Sequence, residues 1–299
     1  MTARTTADLD VTVVVATLNA DAYLADALTS VGDEVQRCQQ AGYSAEVLIA
    51  DGGSTDATLD IAGGFPFVTI LPGTDTGLYN GFNRGVKAAR GMAITFVNSD
   101  DQLLPGALTA ALAVLKSDET PGWTSIDITQ GRSVESAKAM RRDCPLNLEG
   151  ALFGIPAING LVIRTSTFET VGLFDEHVGL SADRLLVVGL ARSGLTGHHL
   201  AQPGYFYRLH DGSLTGSFDA HARDRIFKAE LAMANHLKSA ADQWPAGDQA
   251  LVGAHRAAWT ARDYMRKKRW LALGTLAFSG SLLRGVASWR RWRGRLSGW

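Results

Sequence analysis

Met92-Ala93-Ile94-Thr95-Phe96-Val97-Asn98-Ser99-Asp100-Asp101 reads as a short apolar strand that runs into a pair of carboxylates. Ile94, Phe96 and Val97 suit a strand buried on both faces, as in a parallel sheet. Asp100 and Asp101 are costly to bury without partners, so they are expected at the strand's carboxyl end, against solvent or a cation. In open α/β sheets ligands bind at that end. Adjacent carboxylates repel, and a shared divalent metal with hard oxygen ligands relieves the repulsion. The stretch therefore predicts a metal, and the metal a diphosphate. A plainer reading competes, in which the Asp pair only caps a helix beginning near Pro105.

Upstream, residues 11–16 form a largely β-branched run that stops at Thr17-Leu18-Asn19. Residues 21–40 then show helical spacing through Tyr23, Leu24, Ala27, Leu28, Val31 and Val35. A second strand over 46–50 leads into Asp51-Gly52-Gly53-Ser54-Thr55-Asp56 and a short helix to Ala62. A third strand covers 67–71, and a loop entering a helix covers 76–90. Strand and helix alternate four times with short connections, which predicts an α/β, doubly wound, mainly parallel sheet. Downstream the pattern predicts a helix over 105–116, strands over 123–129, 133–140 and 160–164, and a helical turn over 165–171. A helix over 181–192 and a strand over 205–209 follow, and from 219 onward the chain reads as helical, broken near Pro245-Ala246-Gly247.

The charge balance separates two regions. Net charge is −1, yet residues 262–299 hold ten Lys/Arg against one acid, Asp263, which leaves about −10 on residues 1–261. Such a body offers no nucleic-acid groove, whereas the basic, Trp-rich tail calls for an anionic partner. Cys38 and Cys144 have neither metal-ligand nor redox spacing, which points to a reducing compartment. Residues 1–10 lack a signal-peptide layout, and no apolar run is long enough to span a bilayer.

In the 51–56 loop, Gly52 and Gly53 permit close backbone approach, and Ser54 or Thr55 can cap the helix. An Asp ending a strand can accept hydrogen bonds from a base or a sugar. GxGxxG and GxxxxGK[ST] are both absent, so neither a dinucleotide site nor a P-loop is supported. Alone, the loop is as readily a turn.

Four motifs in order say more than any one of them. Val11-Thr12-Val13-Val14-Val15-Ala16-Thr17-Leu18-Asn19, the Asp51 loop, Asp75-Thr76-Gly77-Leu78-Tyr79-Asn80-Gly81-Phe82-Asn83-Arg84-Gly85 and Phe96-Val97-Asn98-Ser99-Asp100-Asp101 resemble the family 2 inverting glycosyltransferases of GT-A fold. The branch most resembled assembles bacterial exopolysaccharides and glycolipids, of colanic-acid type. The resemblance covers residues 10–105, more loosely to 215, and implies a GT-A domain over 1–218. Its donor half would lie at about 10–120 and its acceptor half at about 121–218. Residues 219–299 would be a helical C-terminal extension.

By position, the resemblance implies that Thr17 and Asn19 lie beside the nucleotide and that Asp51 reads the base. Arg84 would neighbour base and diphosphate. Asn98-Ser99-Asp100 takes the place of the DxD motif, with Asp100 and Asp101 as ribose and metal contacts. Asn98 accepts a hydrogen bond but brings no charge. The implied cofactor is Mg²⁺ or Mn²⁺, neutralising the leaving diphosphate as a Lewis acid. Asp183, in Ser181-Ala182-Asp183, matches the general base that deprotonates the acceptor hydroxyl, with a helix N-cap as its plainer role. His210, in Tyr207-Arg208-Leu209-His210, matches a contact to metal or diphosphate, with a structural histidine as the alternative.

The implied enzyme is a hexosyl- or deoxyhexosyltransferase. It would work by single displacement from a nucleotide-diphosphate sugar to a lipid-linked glycan or glycolipid. The tail suits a helix in an anionic membrane interface, which would place the protein peripherally on the cytoplasmic face. A helix packed on the body, or a homodimer contact, is the other use of the tail. Three departures lie on the acceptor side: Ile158-Asn159 in place of His-Gln, Arg184-Leu185-Leu186 after the base, and Val188-Gly189 where Leu is followed by Lys or Arg. They motivate a second reading, a non-catalytic sugar-nucleotide-binding or scaffold subunit of a polysaccharide assembly complex. A nucleotidyltransferase is disfavoured, because the Gly-rich triphosphate loop is missing.

Overall fold

The computed structural model describes residues 9–117, 120–140, 147–154, 158–213 and 220–266, together with 284 and 287. It divides into two compact units that interleave along the chain. Unit 1 is Met1–Met140, Ile158–Phe174 and Ser193–His210; unit 2 is Arg141–Ala157, Asp175–Arg192 and Asp211–Trp299.

Unit 1 is built on one sheet. Strands β1 (Leu9–Thr17), β2 (Ala45–Asp51), β3 (Val68–Ile70) and β4 (Gly91–Asn98) pair in parallel in the order β3-β2-β1-β4. The connecting helices are α1 (Leu24–Gln40), α2 (Thr58–Gly63) and α3 (Leu78–Ala88), as the alternating pattern predicts. Beyond β4 the sheet becomes mixed. β8 (Leu161–Arg164) lies antiparallel between β4 and β6 (Pro121–Gly131), and β9 (Thr196–Arg208) runs parallel to β6. Short β5 (Gln102–Leu103) and β7 (Lys138–Met140) pair antiparallel with β9 and β6. The strand expected over 133–140 is thus only its last three residues, whereas β9 begins nine residues before the expected Tyr205. Its first part is mostly exposed, so no apolar alternation marks it.

A core of Val11, Val13, Val15, Val97 and Ile126 packs against Leu24, Leu28, Val31, Leu108 and Leu112 from α1 and α4 (Ala107–Ser117). On α3, Phe82 stacks with Phe96 of β4 and Phe174, an aromatic seam flanked by Tyr79 and Phe168. Gly85 lets α3 lie directly on β1, because a Cβ there would overlap the side chain of Val14. Asn83 then makes two buried bonds with the backbone of Phe174, donating to its carbonyl and accepting from its amide, both at 2.9 Å. Glu34, buried on α1, accepts from the Gly106 and Leu108 amides at 2.7 and 3.0 Å and caps α4. Asp100 and Asp101 therefore do not cap that helix.

Unit 2 contains α5 (Leu148–Phe153), the 3-10 segment Glu176–Ser181, α7 (Ala182–Arg192), α8 (Ala220–Ala240) and α9 (Ala246–Arg266); α6 (Thr167–Val171) belongs to unit 1. α5 escapes the sequence pattern because it is under two turns long; Asn147 caps it by accepting from the Gly150 amide at 2.8 Å. Arg184 is the polar centre of the unit. Its guanidinium donates to the carbonyls of Ala151, Leu152 and Gly154 at the end of α5, and to Glu230 on α8 at 2.8 Å. Pro245 precedes α9, in agreement with the expected break. Among the described residues no helix is long and apolar enough to cross a membrane. Cys144 and nearly all of the basic tail lie outside the described residues; Cys38 is buried and unpaired.

Candidate functional site

The carboxyl ends of β1, β2 and β4 are aligned by register, Thr17 opposite Asp51 and Ala16 opposite Asn98. This brings three of the motifs to one rim. The Asp51 carboxylate is buried and holds the loop that follows it. Its Oδ2 accepts from the Gly53 and Ser54 amides at 2.8 Å each, and its Oδ1 accepts from the Ser54 hydroxyl at 2.6 Å and Thr17 at 2.8 Å. Burial raises its pKa, but these bonds outweigh that, and the carboxyl stays below its ordinary range. Asn19 sits at φ 48°, a left-handed turn that Asn tolerates. It knits the two loops together, donating from its amide to Ser54 Oγ and accepting at Oδ1 from the Thr55 amide, both at 2.9 Å. Thr17, Asn19 and Asp51 thus form one rigid rim.

Arg84 projects from α3 to the same rim. It donates to the main-chain carbonyls of Asp51, Leu71, Pro72 and Gly73 at 2.8–3.3 Å, and its Nη1 lies 3.5 Å from Asp75. Asp75 fills a space left by two glycines. A Cβ at Gly52 or Gly81 would meet its carboxylate oxygens at 2.9 and 2.8 Å. Its residue type alone carries no signal, but the adjacent Gly77 and the glycines opposite could have marked it.

At the end of β4, Asp100 and Asp101 part company. Asp100 is partly exposed, and its Oδ2 lies 2.9 Å from His210 Nε2. The His210 ring leans on Tyr23 at 4.6 Å, and Arg208, just upstream, donates to the Asp100 carbonyl at 2.9 Å and to Asp26 at 3.0 Å. Tyr23 and Arg208 are site residues that sequence reasoning did not single out, although both flank the motifs. Ser99 occupies the turn before Asp100 and is half-buried.

Asp101 turns the other way and does not stand beside Asp100 at a common cation, as the sequence reading expects. It is 1% exposed and bonded to Asn98, Asn159, Tyr205 and the Arg208 amide. Burial first, then the neighbouring Asp100 charge, pushes its pKa far above the carboxylate range. The repulsion between adjacent carboxylates is thus eased by burying one of them.

Among the described residues no three His, Cys, Asp or Glu side chains gather as a metal cage. Asp100 and His210 remain as two converging donors, one hard oxygen and one imidazole nitrogen. That set fits Mn²⁺ or Mg²⁺ whose other positions are filled by diphosphate oxygens and water. Asp183 lies in unit 2, in the first turn of α7 and one residue inside it rather than at the cap. Its Oδ1 accepts from the Arg184 amide at 2.6 Å.

Comparison with known proteins bears on the fold that carries these residues. Residues 12–149 match the family described as Glycosyl transferase family 2. A PGL/p-HBAD biosynthesis glycosyltransferase of Mycobacterium tuberculosis is 29% identical over 177 residues, covering 57% of this chain; the chain spans 65% of that relative's length. Staphylococcus aureus TarS, solved with UDP-GlcNAc, superposes with a TM-score of 0.62 at 17% identity, covering 86% of this chain and 73% of that one. A mannosyltransferase of Pyrobaculum calidifontis, solved with GDP-Man and Mn²⁺, gives 0.58 at 16% identity over 96% of this chain and 85% of that one. Over residues 12–149, therefore, the chain is similar to glycosyl transferase family 2, and its fold is GT-A.

Proposed function

We propose that the protein is an inverting glycosyltransferase that moves a sugar from a nucleotide-diphosphate donor to an acceptor hydroxyl. The observation that carries this is the Asp100–His210 pair at the end of β4, beside the rim of Thr17, Asn19 and Asp51. The rim would seat the nucleoside, its loops held rigid by Asp51 and by the Arg84 clamp. Asp100 and His210 would hold a Mg²⁺ or Mn²⁺ ion, which when bound neutralises charge on the diphosphate. Asp183 would accept the proton of the acceptor hydroxyl while that oxygen bonds to the anomeric carbon. The bond from that carbon to the diphosphate oxygen breaks, its electron pair leaves with the nucleotide, and the anomeric configuration inverts.

The acceptor we infer is a lipid-linked glycan or glycolipid, reached from the cytoplasmic face of a membrane. The basic, Trp-rich sequence of 262–299 supports this reading, and the mycobacterial relative named above supports sugar transfer itself. The exopolysaccharide branch has no such support among the relatives compared.

A panel of UDP-, GDP- and dTDP-sugars, with Mn²⁺ and a lipid-linked acceptor extract, should release nucleotide diphosphate with one donor. Asp183→Asn should abolish release and leave nucleotide binding intact. Binding without release across the whole panel would instead favour a non-catalytic sugar-nucleotide-binding subunit.

A further inference from the structure

We infer that Asp101 is a positioning residue that, with Asn159 and Tyr205, fixes where Asp100 leaves the sheet. The inference rests on the reading of Asp100 as the carboxylate that faces the cation. Four protein donors converge on the Asp101 carboxyl, three of them on one oxygen. Oδ1 accepts from the Arg208 amide at 2.8 Å; Oδ2 accepts from Asn98 Nδ2 at 2.9 Å, Asn159 Nδ2 at 3.2 Å and the Tyr205 hydroxyl at 2.8 Å. The side chain is thus turned into the protein, 1% exposed and engaged by protein donors on both oxygens.

The Tyr205 hydroxyl is itself a junction. It accepts from the Asn98 amide at 3.2 Å and from Asn159 Nδ2 at 2.9 Å while donating to Asp101. Asp101, Asn159 and Tyr205 are at most 9% exposed, so each bond is sheltered from water. The network joins the end of β4, the segment entering β8 and the late part of β9. Asp100 lies between its two attachments. Asn98 and Asp101 are held on either side, and Arg208 grips the Asp100 carbonyl from β9. With its backbone fixed on three counts, the Asp100 side chain is directed at His210. Asn159, which stands out in the sequence only as a departure, here supplies two of the network's bonds.

A purely structural network would change stability alone, whereas a positioning network must change the coupling between cation and nucleotide. The probes are UDP and GDP, titrated calorimetrically into the full-length protein at increasing Mn²⁺. Asn159→Ala and Tyr205→Phe, the latter removing only a hydroxyl, should leave metal-free nucleotide affinity within about twofold of wild type. Both should raise the Mn²⁺ concentration that half-saturates the metal-dependent gain by about tenfold, the scale seen when groups behind a metal ligand are removed. Asp100→Ala should abolish the gain.

An unchanged Mn²⁺ half-point in both variants, with only the melting temperature lowered, would overturn the inference and leave the Asp100 reading intact. So would loss of the gain in Asp101→Asn as complete as in Asp100→Ala while Asn159→Ala is silent, since Asp101 would then be a ligand. A gain that survives Asp100→Ala would overturn the cation reading itself, and this inference with it.

Discussion

Arg84 donates to four main-chain carbonyls, and none of them lies on its own helix. A charged donor in such a setting contributes more than a neutral one. Arg84→Ala would leave the carbonyls of 71–73 and the end of β2 without that donor. The expected loss is about 1.5–3 kcal/mol of stability, the range for bonds to charged groups, together with at least tenfold weaker nucleotide binding. Urea denaturation and calorimetry check both, and a variant that loses affinity at full stability would mean that Arg84 contacts the ligand directly. The motif containing Arg84 is legible in the sequence, but the use of its side chain is not. Proximity to a donor site follows from a strand-helix pattern, whereas a choice between ligand and carbonyl depends on a loop path that no periodicity encodes. Asp100 and Asp101 make the same point. Adjacent in sequence and alike in chemistry, they part because Tyr205 and Asn159, 104 and 58 residues away, claim only one of them.

Helices in this chain are joined to their neighbours by single buried polar side chains. Glu34 satisfies two amides at the start of α4, so Glu34→Ala should cost about 1–3 kcal/mol, the penalty for leaving buried donors unpaired. Glu34→Gln, which keeps one acceptor, should cost less; thermal melts of the two variants decide it. In unit 2, His255 on α9 is 1% exposed and accepts from Trp259 Nε1 at 3.0 Å, so its ring is neutral. Burial, then the charges of Arg184 and Arg262, lowers its pKa to about 3, with Glu230 at 3.9 Å as the facing carboxylate. Below the ordinary histidine value near 6.5 the unfolded chain takes up a proton that the folded one refuses. Stability should therefore fall as pH drops from there towards 3, by up to about 1.4 kcal/mol per unit. His255→Gln should flatten that slope in denaturation curves taken from pH 7 to 4, and an unchanged slope would show that the ring titrates normally. The first four strands and three helices of this architecture follow from alternating apolar runs. α5 and the early part of β9 do not, since one is shorter than a helical period can reveal and the other has water on most of its residues.

At the scale of the whole chain, charge and connectivity carry the consequences. Reversing Arg290, Arg291, Arg293 and Arg295 to Glu in the full-length protein should abolish sedimentation with phosphatidylserine vesicles and leave nucleotide affinity unchanged. Retained sedimentation would assign the tail to a protein partner. The order of the strands has a separate effect on how the protein comes into being. Among the described residues β9 is the last strand to be synthesised, yet it lies between β6 and β5 and brings Tyr205, Arg208 and His210 to the end of β4. On the ribosome, the parallel half of the sheet can assemble early, but its rim has neither the imidazole nor the phenol until residue 210 has cleared the exit tunnel. Nascent chains stalled before that point should expose the apolar edge of β6 and need a chaperone to shield it, and competence to bind nucleotide should arrive late and abruptly during translation.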